Sequence, residues 1–280
     1  MRLLSVTKPG IIFGNTITCL GGFLLATRDS FHVWLLLCTL VGMGLVIACG
    51  CIINNLIDRD IDKLMKRTQN RVLVKGLMSA KLAVFYAILS SVLGFVILYW
   101  QTNPLTTLVA LIGLIAYVGV YTLWLKRSSV YGTAMGGIAG AVPPVVGYCA
   151  VTNQFDWGAV SLFLILFFWQ MSHFYAIAIY RLQDYTDAAI PVLPVKRNVG
   201  YTKVSILIYL VLFVIAAISP TLLGYAGWAY GTIALILSLI WLGLGIHGFK
   251  RLDSRLWARR LFAFSILLIT LLSLAMIIKM

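Results

Sequence analysis

The feature that most constrains this chain is a run of about twenty apolar residues that recurs along nearly its whole length, broken each time by a short polar segment. An α-helix rises about 1.5 Å per residue, so a run of that length matches the roughly 30 Å hydrocarbon core of a bilayer. Nine such runs are read, at about 11–27, 33–56, 80–100, 104–125, 130–150, 157–179, 203–223, 226–248 and 260–278. No water satisfies a peptide group in hydrocarbon, so each run should be a helix whose backbone bonds close within itself. A membrane barrel would instead show segments of about ten residues with alternating polarity. The chain is 61% hydrophobic and only 11% charged, too little charge to cover a soluble domain of 280 residues. The expected fold is an all-α polytopic membrane protein, one domain over 1–280.

Charge placement orients the bundle. With nine helices, every Lys and Arg except Arg28 and Lys279 falls at segments on one side, which the positive-inside rule assigns to the cytoplasm. The N-terminus is then cytoplasmic and the C-terminus outside. The net charge of +14 is thereby explained by topology and by anionic lipid headgroups, with no nucleic acid required. Arg2 and Lys8 before the first run resemble the start of a signal peptide, but Leu24 to Arg28 makes a poor cleavage site, so this run reads as a retained helix. An Arg- and Ser-rich transit peptide is not seen, which points to a bacterial inner membrane. The five cysteines fit no metal or disulfide spacing and read as small apolar residues.

Acidic residues are scarce: eight Asp and no Glu, with Asp58, Asp60 and Asp62 together at the cytoplasmic end of the second run. In a helix Asn54, Asp58 and Asp62 share one face over two turns, while Asp60 points away. Topology selects for Lys and Arg, so this ladder of oxygen ligands needs another reason. Carboxylate and amide oxygens suit Mg²⁺, which is usually held by one or two carboxylates together with substrate phosphates. Asp184, in the loop after the sixth run, is the natural opposing acid, with Asp187 one turn later. Asp58 and Asp184 are separated by four helices, which hints at two related halves, about 1–125 and 126–248, followed by a final helix.

Basic residues interleave with these acids. Arg67, Arg71 and Arg181 lie within two or three turns of them and offer the planar fork that fits phosphate oxygens. Lys126, Arg127 and Lys196 are further phosphate candidates on the same side. The fifth run carries Gly132, Gly136, Gly137, Gly140, Gly147 and the pair Pro143-Pro144. That pattern supports close helix contact with a mid-span break, or a kink that makes room for a bulky ligand. His173 lies inside the sixth run beside Gln170 and Ser172, where a polar group in lipid needs a partner or a cavity. It is read either as a hydrogen-bonded structural residue or as a ligand contact, the latter through iron.

These residues resemble the intramembrane aromatic prenyltransferases of the UbiA superfamily, whose first acidic motif matches Asn54, Asp58 and Asp62. The continuation Met65, Arg67, Thr68 and Arg71 resembles the haem branch, the protohaem IX farnesyltransferases. So do Thr7-Lys8-Pro9, Gly140-Ala141 with Pro143-Pro144 and Gly147, Trp169-Gln170 with His173-Phe174, and Asp184-Tyr185 leading to Pro191, Leu193 and Pro194. The second motif has Tyr180 four residues before Asp184, where quinone-type relatives have a paired Asp. The resemblance covers residues 7 to about 197, and the last three runs carry no such motif. It implies a UbiA-like bundle of nine helices around a central cavity, with Mg²⁺ held by Asp58, Asp62 and Asp184. It further implies farnesyl diphosphate gripped by Arg67, Arg71 and Arg181, with Asn54, Lys126, Arg127, His173, Tyr180 and Lys196 as further substrate contacts. The acceptor would be haem b, the product haem O, and a terminal oxidase or haem-modifying enzyme would receive it. A quinone-type aromatic acceptor is the alternative, opposed by His173, Tyr180 and the Arg67-Thr68 string. A transporter would place its charges near the bilayer midplane, whereas these lie at the helix ends.

Overall fold

The computed structural model describes residues 5–27, 31–249 and 253–278. Arg2, Arg28, Lys250, Arg251 and Lys279, which enter the charge count, lie outside them. Among the described residues there are nine helices long and apolar enough to cross a membrane: α1 Pro9–Ala26, α2 Val33–Ile57, α3 Ala80–Gln101, α4 Pro104–Ser128, α5 Gly132–Thr152, α6 Trp157–Tyr180, α7 Val199–Leu222, α8 Trp228–Phe249 and α9 Ser254–Ala275. Short polar side chains begin several of them by accepting from exposed backbone N–H groups. Ser79 caps α3, Asn103 α4, Asp156 α6, Asn198 α7 and Asp253 α9.

Two boundaries differ from the sequence reading. Helix α9 begins at Ser254, well before residue 260, because Arg255, Arg259 and Arg260 continue its first turns while their charged heads reach the polar interface. Helix α7 likewise begins at Val199, fixed by the Asn198 side chain accepting from the Tyr201 N–H at 2.7 Å.

The bundle closes on itself: α2 packs on α3, α1 on α5, α6 on α7 and α9, α8 on α7 and α9, and α9 returns to α1. Its main core runs through α5 to α9, centred on Leu162, Ile165, Leu210, Phe213, Trp241 and Leu261. Large apolar side chains such as Phe85, Ile112, Ile208 and Leu267 face outward, as a lipid-facing surface requires. Trp34, Trp100, Trp157 and Trp228 are all highly exposed at helix ends opposite the acidic motifs, where indole rings mark a membrane–water boundary.

Helix α5 is broken in mid-span and also packs closely on α1. Its halves Gly132–Gly140 and Val142–Thr152 meet at Ala141, so Pro143 and Pro144 fall in the first turn of the second half. There a missing N–H costs nothing. A Cβ on Gly147 would lie 2.0 Å from the Cys19 carbonyl oxygen, and one on Gly22 would lie 1.9 Å from that of Pro144. Helices α1 and α5 therefore touch backbone to backbone. All five cysteines are buried free thiols.

Helix α4 contains a feature with no sequence signal: residues Ala116–Leu125 form a π-helix. Its wider turn is matched by the Thr122 hydroxyl, which donates to the Tyr117 carbonyl five residues back at 2.8 Å. Such insertions re-aim side chains and are common at functional sites. Here they turn Thr122 and Lys126 toward the end of α2.

Candidate active site at the acidic loops

The ladder on α2 persists through the helix end. The Asp58 N–H donates to the Asn54 carbonyl and the Asp62 N–H to that of Asp58, so the four-residue register continues into the short helix Arg59–Asp62. Asn54, Asp58 and Asp62 are all buried, while Asp60 points out to solvent. Each rung meets a cation or donor from elsewhere in the fold. Lys8 donates to the Asn54 side-chain oxygen, and Asn54 donates to the Thr122 hydroxyl at 3.2 Å. Lys126 pairs with Asp58, and Arg71 with Asp62. The Thr68 hydroxyl donates to the Asp62 carbonyl at 2.9 Å, which folds the loop so that Arg71 returns to its partner.

Lys8 is the site residue that sequence reasoning missed as a ligand, although it stands in a quoted motif. It adopts a left-handed conformation, φ 55°, immediately before Pro9. For a non-glycine residue that costs about 1–3 kcal/mol and persists only where surroundings enforce it. Burial pushes its ammonium down to about 7, and the nearby Arg71 and Lys126 add to this. Three basic groups thus converge where Asn54, Asp58 and Asp62 line up, an arrangement that suits a multiply charged anion.

The second acidic motif reaches the same place. Asp184 is buried in the short helix Leu182–Asp187. A small apolar cluster joins the two loops, with Ile61 and Met65 from the first against Tyr185, Ala188, Ile190 and Val192 from the second. Burial raises the pKa of the Tyr185 hydroxyl above its usual range, Arg67 and Lys126 oppose that rise, and Asp184 adds to it. One phenol therefore senses charges from both motifs.

Other predicted residues are placed differently. Arg127 is spent on Asp60, donating from both guanidinium nitrogens at 2.7 Å each, and it also donates to the Ile57 carbonyl at 2.7 Å. That contact holds Asp60 down at about 2. It straps α4 to the end of α2 on the outer shoulder of the site. Asp60→Asn should therefore leave turnover close to that of the unmodified protein, and a large loss would show that Asp60 belongs inside. Arg67 and Lys196 are exposed, and Asp187 is exposed with the Gln183 amide donating to it at 2.6 Å. Arg181 lies over the Tyr180 ring at 4.5 Å, and Arg255 of α9 approaches the same ring at 5.7 Å. His173 is buried deeper in α6, against the Trp169 and Phe262 rings. A surface hollow of about 450 Å³ beside Leu56, Arg59, Asp60 and Lys63 contains none of the buried acids.

Oδ2 of Asp184 is buried with no hydrogen-bond donor, and Oδ1 of Asp58 likewise accepts no hydrogen bond, with the Arg127 guanidinium 3.6 Å away. A buried anionic oxygen without a donor is costly unless a cation meets it. Hard oxygen donors of this kind fit Mg²⁺. Among the described residues no group of three or more His, Cys, Asp or Glu is placed to hold a metal ion. The set suits a cation that arrives with phosphate oxygens of its own.

A family model described as the UbiA prenyltransferase family matches residues 15–268. The chain belongs to the UbiA prenyltransferase family. It is 54% identical over 275 residues to "Protoheme IX farnesyltransferase 2" of Pseudomonas paraeruginosa, covering 98% of this chain and 93% of that one. It is also 54% identical over 276 residues to "Protoheme IX farnesyltransferase" of Pectobacterium atrosepticum, with the same coverage. Among solved structures, one concerning digeranylgeranylglyceryl phosphate synthase in membranes superposes with a TM-score of 0.81 at 18% identity, over 99% of this chain and 96% of that one. A UbiA homologue from Archaeoglobus fulgidus bound to GPP and Mg²⁺ superposes with a TM-score of 0.75 at 17% identity, over 99% of both chains. At those identities the likeness establishes the fold, and the nine-helix UbiA arrangement read from the sequence is the one observed.

Proposed function

We propose that this chain transfers the farnesyl group of farnesyl diphosphate to a vinyl group of protohaem IX, haem b, with addition of water, giving haem O and diphosphate. The observation that carries the reading is the convergence of Lys8, Arg71 and Lys126 on the buried Asn54, Asp58 and Asp62 ladder, with the Asp184 loop packed against it. The names of relatives sharing over half of its residues across nearly its whole length supply the acceptor.

In this reading the diphosphate enters between the two acidic loops. Asp58, Asp62 and Asp184 would hold Mg²⁺, whose chemistry is to neutralise phosphate charge and favour departure of the diphosphate. Lys8, Lys126 and Arg71 then have an anion to exchange for their resting partners, and their ammonium and guanidinium hydrogens stabilise the charge that grows as the allylic C–O bond breaks. Arg67, Arg181 and Lys196 supply field from the rim, and Tyr180 seats Arg181. The allylic carbon is attacked by the haem vinyl group, and water adds to the adjacent carbon, leaving a hydroxyethylfarnesyl side chain. The apolar bundle limits earlier capture of the allylic group by water. The cytoplasmic face of a bacterial inner membrane is the assigned location of the site, with the N-terminus inside, the C-terminus outside, and a terminal oxidase or haem-modifying enzyme receiving the product.

Purified protein supplied with farnesyl diphosphate, Mg²⁺ and either haem b or 4-hydroxybenzoate decides the acceptor. Farnesylated haem alone is the expected product, and it should vanish when the metal is chelated. Prenylation of the benzoate alone would overturn the assignment.

A further inference from the structure

Helix α9 carries no motif of the sequence reading, yet it contributes the residue that determines what His173 can do. Trp169 and His173 sit one turn apart on α6, their rings stacked at 4.5 Å, and both reach Ser265 of α9. The Trp169 indole N–H donates to the Ser265 backbone carbonyl at 2.9 Å. The Ser265 hydroxyl lies 2.6 Å from Nδ1 of His173 and also 2.6 Å from the Phe262 carbonyl oxygen. A carbonyl can only accept, and a serine hydroxyl has one hydrogen. With that hydrogen given to Phe262, the contact with His173 is Nδ1–H donating to the serine oxygen. The neutral imidazole then has its lone pair on Nε2.

The ring is also held in place. Trp169 stacks on the ring at 4.5 Å, Phe262 approaches it tilted at 4.9 Å, and Ser265 occupies the Nδ1 edge. Nε2 is thereby presented in a fixed direction as an acceptor. This is how metal-binding histidines are commonly arranged, with one ring nitrogen donating to a protein oxygen and the other ligating. Gln170, three residues earlier on the same helix, keeps a buried amide nitrogen without an acceptor, a second polar group in this apolar layer that a polar ligand would satisfy.

We propose that Ser265 is a positioning residue that fixes the Nδ1–H tautomer of His173, so that Nε2 binds the iron of the acceptor haem. The inference rests on haem b being the acceptor, and its test is separate from the transfer assay. Ferric haem b is titrated into the detergent-solubilised full chain by the Soret band, and the iron–histidine stretch is recorded by resonance Raman after reduction. The unmodified protein should show that band, and His173→Ala should lose it. Ser265→Ala should weaken haem binding about 10–100-fold, the usual effect of removing an outer-shell partner, and shift the band to lower frequency. Ser265→Thr, which keeps the hydroxyl, should restore both. If Ser265→Ala does not accumulate, Ser265→Cys offers a weaker acceptor at similar volume, and a lowered band is again expected. An unshifted band with unchanged affinity in Ser265→Ala or Ser265→Cys overturns the proposal, as does a haem spectrum that His173→Ala leaves unaltered. In those cases farnesyl transfer to haem by the unmodified protein would still uphold the functional reading, whereas absence of transfer would remove the reading itself.

Discussion

Asp58→Asn and Asp62→Asn are each expected to lower farnesyl transfer by at least about 10²–10³-fold, the scale on which loss of one preorganised electrostatic contact is felt, while the protein still inserts and folds. Asn preserves the shape and one side-chain oxygen of each residue but removes the charge that attracts a divalent cation. Ala would be a poorer test at Asp58. That carboxylate is fully buried against Lys126, and truncation would leave an ammonium facing a void. The measurement is turnover per folded molecule across a Mg²⁺ titration, together with binding of a non-hydrolysable farnesyl diphosphate analogue. Turnover near that of the unmodified protein in either variant would dismiss the metal role of the ladder. A defect that excess Mg²⁺ rescues for Asp62→Asn but not for Asp58→Asn would rank the two, since Asp58 is the one with a carboxylate oxygen that has no donor.

The largest effect on folding is expected at Gly147. Its hydrogen faces the Cys19 carbonyl, and an added methyl would need space that backbone already fills. Flexible side chains can move aside; a helical carbonyl cannot, except by shifting the whole of α1. Overpacking of this kind costs roughly 1–3 kcal/mol or more, and Gly22→Ala should behave alike because it meets the Pro144 carbonyl from the opposite helix. Thermal unfolding in detergent, followed by size-exclusion chromatography, should show a lowered midpoint and aggregation for either variant. Gly10 and Gly14 lie at the start of the same helix with nothing within 4 Å of a built Cβ, so Gly14→Ala serves as the control and should unfold like the unmodified protein. Equal midpoints for Gly147→Ala and Gly14→Ala would mean that α1 and α5 do not touch as closely as described.

Much of the acid chemistry was legible because Asp is so rare here. The fold sorts the described ones by role. Asp156 and Asp253 cap helices, Asp60 pairs with Arg127, Asp187 accepts from Gln183, and Asp58, Asp62 and Asp184 are the buried ones. The helical four-residue spacing put Asp58 and Asp62 on one face and Asp60 off it, because that relation is local; the fold buries that face and leaves Asp60 in solvent. The basic partners were harder to sort. Arg71 could be named because it lies nine residues from Asp62 on the same loop. Lys8 and Lys126 reach Asn54 and Asp58 from distant segments, and which of many cytoplasmic cations does so depends on helix packing. Arg127, adjacent to Lys126 in sequence, turns outward to hydrogen-bond Asp60 and stays 3.6 Å from Asp58.

The sequence by itself determined the number of spans, the side on which charges gather, and the ladder on α2, since each follows from composition or from the period of a single helix. It also carried the family resemblance, whose motifs lie in order along one chain. Only the tertiary structure decided that the two acidic loops share the Met65 and Tyr185 cluster, that a π-helix in α4 brings Thr122 to Asn54, and that Ser265 occupies one nitrogen of His173. Those contacts join residues far apart in sequence, Met65 and Ile190 of the shared cluster being 125 positions apart. Their register depends on how broken and glycine-lined helices settle against one another, which no local periodicity encodes.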